Sequence, residues 1–158
     1  MNTVLNTVHW HLILNHLPIM ATLFGLFIFG YAYWRDKVEV LRVALVLMVF
    51  AGAVTIPVSK TGHSAEEIAE KLEAVQHDTI EAHEESAETT YYLALLLGVL
   101  ALGALIRTYQ VEHLSWVILL IIALAGVITL GSFIKTADKG GKIRHPELQI
   151  PAGQVESK

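Results

Sequence analysis

Histidine is the residue type in this chain that is best suited to chemistry. Eight of the 158 residues are histidine, and none is cysteine. Neutral imidazole binds haem iron, copper and zinc. The absence of cysteine excludes disulfides, iron–sulfur clusters, thiolate metal sites and c-type haem attachment, which needs a Cys-x-x-Cys-His run. The composition therefore favours imidazole ligation of a b-type haem or of a single metal ion.

Hydropathy indicates the helices that must position these histidines. Hydrophobic residues make up 54% of the chain and charged residues only 16%, whereas soluble domains average about 25% charged. Four stretches lack Asp, Glu, Lys and Arg: Leu17 to Trp34, Val43 to Val58, Thr89 to Ile106 and Leu114 to Ile134. Such stretches fit the roughly 30 Å of bilayer hydrocarbon. We expect an integral membrane protein in contact with lipid, and not a soluble, disulfide-rich or nucleic-acid-binding one.

The short connections make neighbouring spans antiparallel, which predicts an all-α, up-down four-helix bundle. The predicted spans are about 8–34, 38–58, 76–107 and 114–134, in a transmembrane domain over 1–135 with an extramembrane tail over 136–158. Pro57 should end the second span, and a polar insert follows over 59–75. There Ser64 and Glu67 fit a capping box, which predicts a short amphipathic helix from Ser64 to Ala74. No internal repeat is evident.

Antiparallel spans place seven of the eight histidines at one membrane face. These seven are His9, His11, His16, His63, His77, His83 and His145, and only His113 lies at the other end. Histidine tolerates membrane interfaces without having any function there. The opposite end is equally interfacial, however, and holds only one. The clustering therefore predicts a binding site at the histidine-rich face.

His16 and His83 are the first predicted haem ligands. His16 lies deepest, and ionisable groups at that depth usually point into the bundle. Small residues such as Ala87 and Ala94 continue the face of His83, so a flat macrocycle or a neighbouring backbone can approach closely. His9 and His63 are alternative ligands. A structural hydrogen bond to a neighbouring helix explains His16 about as well, and tight helix packing explains His83 about as well.

The third helix offers a second kind of site. His77, Glu81, Glu84 and Glu88 align at steps of four, three and four residues, and a solvated helix face explains the same pattern. The candidate ligands of a copper or zinc ion are His11, His16, His77, His83, Glu81 and Glu84. A di-iron centre is disfavoured because it needs Glu-x-x-His pairs on two helices.

The segment from Gly140 to Glu147 contains the remaining candidates. Its two glycines allow a sharp turn after the fourth span, so that Arg144 and His145 can reach back over the end of the bundle. Arginine pairs with a carboxylate in bidentate fashion, either a haem propionate or a nearby glutamate. Without a cofactor, the same residues would latch the tail to the polar insert.

Short motifs carry a resemblance to a known family. The run from His9 to Ile19 is similar to the His-Pro…His-Phe-Pro-Ile start of the DUF2231 family. The runs Thr61 to Glu67, Ile80 to Glu84 and Gly140 to Glu147 resemble motifs of related uncharacterised bacterial membrane proteins. The resemblance implies a four-helix bundle with a redox or haem role.

We predict a membrane b-type haem protein that transfers electrons, with a quinone or a respiratory complex as partner. The alternative is a non-enzymatic copper- or zinc-binding protein, or an accessory subunit of a membrane complex. A stand-alone enzyme is less expected, because no nucleophile–base–acid arrangement stands out. We expect the bacterial inner (cytoplasmic) membrane. The N-terminus lacks positive side chains, which favours the histidine-rich face outside, whereas a count of Lys and Arg alone would put that face in the cytoplasm. Homo-oligomer formation and the number of haem groups are left open.

Overall fold

Four long helices form the molecule, and the predicted all-α four-helix bundle is confirmed. A computed structural model describes residues 9–69 and 77–144. The helices are α1 (His9–Arg35), α2 (Val38–Ala69), α3 (His77–Arg107) and α4 (Trp116–Arg144). No strand occurs within these two ranges. Each helix packs against the next one in the chain, and α4 also packs against α1.

The outer surface of the bundle is apolar, as a lipid environment requires. Phe27 is 69% exposed, Val99 68% and Val127 61%, and each lies on a different helix. All four helices are long and apolar enough to cross a membrane. Because every backbone N–H and C=O within hydrocarbon must be paired internally, helices of this kind suit a bilayer. The chain is therefore a multi-pass membrane protein.

The bundle interior differs between its two halves. Large apolar side chains fill the half near the short connections, among them Phe29, Leu41, Leu45, Met48 and Leu97. Towards the histidine-rich face Ile80 and Phe133 are buried as well, but most of the buried residues are smaller or more polar: Pro18, Ala21, Thr22, Thr55, Ser86, Thr90, Ala94 and Thr129. Small residues allow helix backbones to approach closely in membranes. Bulky side chains thus pack the bundle together at one end, and close contact between helix backbones does so towards the other.

A polar clamp ties α2 to the end of α3 at the face opposite the histidines. Arg42 donates from Nε to Thr108 Oγ1 at 3.0 Å and from Nη2 to the Thr108 carbonyl at 2.8 Å. Its guanidinium lies 4.1 Å from the centre of the Tyr109 ring, in a cation–π contact. The contacts hold the end of α3 against the beginning of α2.

The helix that contains the second predicted span does not end after Pro57, so the predicted exit from the helix there is wrong. Helix α2 continues through Pro57 to Ala69, because one proline removes only a single backbone hydrogen bond, which membrane helices tolerate. Ser64 lies inside α2 with Oγ 3.4 Å from the Lys60 carbonyl. The predicted capping box at Ser64 is therefore also wrong, and residues 70–74 of the predicted amphipathic helix lie outside the described residues.

The fourth span also runs further than predicted. Helix α4 passes through Gly140 and Gly141 to Arg144, so the predicted sharp turn at these glycines is wrong. The physical reason is that Gly140 packs beneath the His83 ring, where a side chain would collide: a methyl group at Gly140 would lie 3.0 Å from His83 Cε1. The rest of the predicted tail, residues 145–158, lies outside the described residues.

The two hairpins of the bundle repeat each other in their pattern of burial. Buried Pro18, Thr22 and Phe29 of α1 correspond to buried Thr90, Ala94 and Ala101 of α3, in each case 72 residues later. Buried Ala44, Met48, Ala51 and Thr55 of α2 correspond to buried Ile122, Gly126, Thr129 and Phe133 of α4, each 78 residues later. The paired residues mostly differ in type. The structure therefore contains a repeat of the α1–α2 hairpin that the sequence does not make evident.

Candidate functional site

His11 of α1 lies half-buried against the polar end of α2. Its Nδ1 is 3.2 Å from the Val58 carbonyl oxygen and 3.4 Å from Thr61 Oγ1. The ring packs directly on Gly62, where a methyl group would lie 3.1 Å from His11 Cε1. The absence of a side chain at Gly62 therefore permits this position of the imidazole.

His83 of α3 has the same arrangement against α4. Its Nδ1 is 3.1 Å from the Thr136 carbonyl oxygen, and its ring packs on Gly140. In both hairpins the accepting carbonyl lies four residues, or one helical turn, before the glycine. His11 and His83 are thus equivalent residues of the structural repeat.

These hydrogen bonds determine which ring nitrogen is available to a ligand. A carbonyl oxygen can only accept, so we assign the proton of each neutral imidazole to Nδ1. The lone pair then lies on Nε2, and neither Nε2 has a hydrogen-bond partner among the described residues. Metal-binding histidines are commonly oriented in this way, through an Nδ1–H bond to a carbonyl.

Asn15 supplies a third unsatisfied group, one turn after His11 on the same face of α1. Its Oδ1 atom is buried and has no hydrogen-bond partner among the described residues. A buried polar atom without a partner costs about 1–3 kcal/mol. Regular helix resumes at His16, because Pro18 has no N–H to donate to the carbonyl one turn earlier. This irregular turn therefore contains an acceptor that lacks a donor.

The other histidines of the haem prediction lie elsewhere. His16 is exposed, and its Nδ1 is 2.9 Å from the Leu12 carbonyl of its own helix. Five residues correspond to about 140° around a helix, so His16 lies on a different face from His11. The expectation that His16 points into the bundle is wrong, because its ring bonds to its own helix. His9 and His63 are exposed as well.

The carboxylate stripe of α3 faces outward. His77, Glu81 and Glu84 are all exposed. Within residues 9–69 and 77–144, no three His, Asp or Glu side chains come together as ligands for one ion. Arg144 is the last residue of α4, and nothing is described of its side chain, whereas His145 lies outside the described residues.

The small residues below His83 pack helices together. A methyl group at Gly52 of α2 would lie 2.9 Å from the Ala94 carbonyl oxygen and 3.0 Å from Gly98 Cα. Of the two predicted uses of this face, approach by a neighbouring backbone therefore accounts for Ala94 and Gly98. The part of the face next to His83 instead contributes to a cluster of hydroxyl groups.

Four hydroxyl groups form a cluster between α3 and α4 just below His83. Thr90 Oγ1 lies 2.6 Å from Ser132 Oγ and 2.8 Å from Thr136 Oγ1. Ser86 Oγ lies 2.9 Å from Thr136 Oγ1. The Thr136 carbonyl in turn accepts from His83. The cluster fixes the register of α4 on α3, and with it the position of the carbonyl that orients His83.

Lys139 lies beside His83, and the sequence analysis did not single it out. Its Nζ donates to the Ala82 carbonyl at 2.8 Å, and Ala82 is next in the chain to His83. The signal that could have found it is the i+3 spacing from Thr136, which places both residues on the face of α4 that meets α3.

Comparison with known protein families, with curated proteins and with solved structures found no match. The resemblance to the DUF2231 family stays a prediction that rests on short motifs.

Proposed function

We propose that the protein is a membrane b-type haem protein that transfers electrons, with His11 and His83 as the axial ligands. The observation that carries the proposal is the matched orientation of these two imidazoles. Each ring is held through Nδ1 by a carbonyl of its partner helix. Each therefore has an Nε2 lone pair available at the same end of the bundle.

The set of donors fits haem better than it fits a zinc ion. A structural zinc site takes four protein ligands, and a catalytic one takes three. Among the described residues no group of three candidate ligands comes together. The porphyrin supplies four of the six iron ligands, so two imidazoles complete the set, and the bound group would supply one-electron chemistry.

A copper ion is the second candidate, favoured by the same pair of imidazoles. Monovalent copper accepts two nitrogen ligands in a linear arrangement, and imidazole is a suitable copper ligand. The protein would then be a non-enzymatic copper-binding protein or an accessory subunit of a membrane complex. Zinc fits less well, because it needs further ligands.

The setting of this function is proposed from charge and hydropathy. A quinone or a respiratory complex is the proposed electron-transfer partner, since both are found in or at the bilayer. The proposed location is the bacterial inner membrane. The histidine-rich face is placed outside because the N-terminus lacks positive side chains, although Lys and Arg are more numerous at that face than at the opposite one.

Absorption spectroscopy tests the proposal directly. Protein purified in detergent, or reconstituted with haem, should give a Soret band and split α and β bands on reduction. His11→Ala and His83→Ala should each abolish these bands while circular dichroism stays helical. His16→Ala and His113→Ala are the matched controls, because both rings are exposed, and they should keep the spectrum.

Three outcomes would contradict the proposal in different ways. A wild-type protein that binds no haem but one copper per chain, measured by elemental analysis, would favour the second candidate. Loss of the bands in His16→Ala, with retention in His11→Ala, would reject the ligand assignment. A protein that binds neither haem nor copper would reject both functions.

A further inference from the structure

Lys139 is a half-buried cation whose charge is not matched by a carboxylate in the part of the chain that the structure describes. The nearest acid in sequence, Asp138, pairs with Lys142 at 2.7 Å instead. Burial removes part of the hydration of the ammonium group, and the Ala82 carbonyl replaces only one of its hydrogen bonds. An anion brought to this position would therefore be stabilised.

The charged group of Lys139 lies beside one of the two imidazoles, that of His83. Its Nζ donates to the carbonyl of Ala82, the residue before His83. The His83 ring packs on Gly140, the residue after Lys139. The structural repeat provides an internal comparison. The residue of α2 that corresponds to Lys139 is Thr61, a neutral side chain 3.4 Å from His11. Of these two equivalent positions, only the one beside His83 carries a positive charge.

We propose that Lys139 binds a carboxylate of the prosthetic group that His11 and His83 hold, a proposal that rests on the haem function above. Haem b has two propionate groups. The Lys139 ammonium has three hydrogens, of which the Ala82 carbonyl takes one, so two remain to donate to a carboxylate. Lys139 thus holds one propionate at the α3–α4 side and directs the propionate edge of the group towards that side.

The test compares haem with its dimethyl ester, in which both propionates are uncharged. Each porphyrin is titrated into the full-length haem-free protein in detergent, and the dissociation constants are taken from the Soret band. The measured quantity is the ratio of the two constants, compared between variants, so that partition of the ester into detergent cancels. The preference for haem should be about tenfold or more greater in the wild type than in Lys139→Gln, as expected for a charge-assisted hydrogen bond.

Lys139→Gln should abolish most of that preference, whereas Lys139→Arg should keep much of it. Lys135→Gln is the matched control, because Lys135 is an exposed lysine one turn earlier on α4, and it should leave the ratio unchanged. If Lys139→Gln has the wild-type ratio, the inference is overturned although the haem function stands. An equal loss in Lys135→Gln would mean that general surface charge, such as attracts lipid phosphates, is responsible. Failure of the wild type to bind either porphyrin would overturn both proposals.

Discussion

His11 and His83 occupy equivalent positions in the two hairpins of the bundle, each packed on a glycine and bonded to the carbonyl one turn before it. The distances from Nδ1 to the carbonyl oxygens, 3.2 Å to Val58 and 3.1 Å to Thr136, are nearly the same. The two halves differ in what surrounds this shared arrangement. The α3–α4 half adds Lys139 and the hydroxyl cluster, whereas the α1–α2 half adds the unpaired Asn15.

Gly140→Ala should displace the His83 ring. The added methyl would lie 3.0 Å from Cε1, which forces the imidazole or α4 to move by a few tenths of an ångström. Overpacking of this kind costs about 1–3 kcal/mol of unfolding free energy, against the gain of about 1 kcal/mol that alanine brings to a helix. Gly141→Ala is the control, since nothing lies within 4 Å of its added methyl, and alanine favours helix by about 1 kcal/mol. Unfolding in mixed micelles, followed by circular dichroism, should show Gly140→Ala as the less stable variant. Equal stabilities would mean that the His83 ring tolerates the methyl group.

Gly52→Ala should separate α2 from α3. Its methyl would meet the backbone of Ala94 and Gly98 at 2.9–3.0 Å, and backbone cannot move aside as a flexible side chain can. We expect a loss of about 1–3 kcal/mol in the free energy of unfolding. Gly103→Ala has open space around its methyl and should be neutral or stabilising in the same micelle assay. A Gly52→Ala variant as stable as the wild type would show that the two helices are not in close contact.

Thr90→Val should weaken the contact between α3 and α4. The substitution keeps the shape of the side chain but removes the hydroxyl that lies within 2.8 Å of both Ser132 and Thr136. Interhelical hydrogen bonds in membranes contribute about 0.6 kcal/mol on average and up to about 1.7, so we expect a loss near 1 kcal/mol. The exposed neighbour Thr89 bonds only to its own helix, and Thr89→Val should therefore change stability little. Equal effects of the two substitutions would indicate that the cluster does not hold α4.

Arg42→Lys should loosen the opposite end of the bundle. Lysine keeps the charge but cannot donate from two positions of a planar fork to the hydroxyl and the carbonyl of Thr108. We expect a loss of about 1 kcal/mol, since hydrogen bonds from charged groups contribute about 1.5–3 kcal/mol when buried and Arg42 is only half-buried. Arg35→Lys is the control, because Arg35 is exposed and stacks on Trp34 of its own helix. Hydrogen exchange at the end of α3 should rise in Arg42→Lys only, and an unchanged rate there would reject the role of the clamp.

The sequence by itself determined the four membrane-spanning helices and their antiparallel order. Uncharged stretches of membrane-spanning length have few alternatives in a bilayer, and connections as short as 35–37 leave neighbouring helices antiparallel. The same reasoning placed His83 and His11 at one end of the bundle. It failed at Pro57 and at Gly140, where it predicted that the helix ends. Both residues lie inside helices, which are supported by packing on neighbouring helices and by the remaining backbone hydrogen bonds.

Only the tertiary structure decided which imidazoles face the bundle. His11 and His16 differ by five residues, and the sequence favoured His16 because it lies deeper. Rotation of α1 about its own axis is set by its packing on α2, where Gly62 admits the His11 ring and the Val58 carbonyl binds it. Such a contact joins residues about fifty positions apart. Helical periodicity fixes which residues share a face, but it does not fix the direction in which that face points.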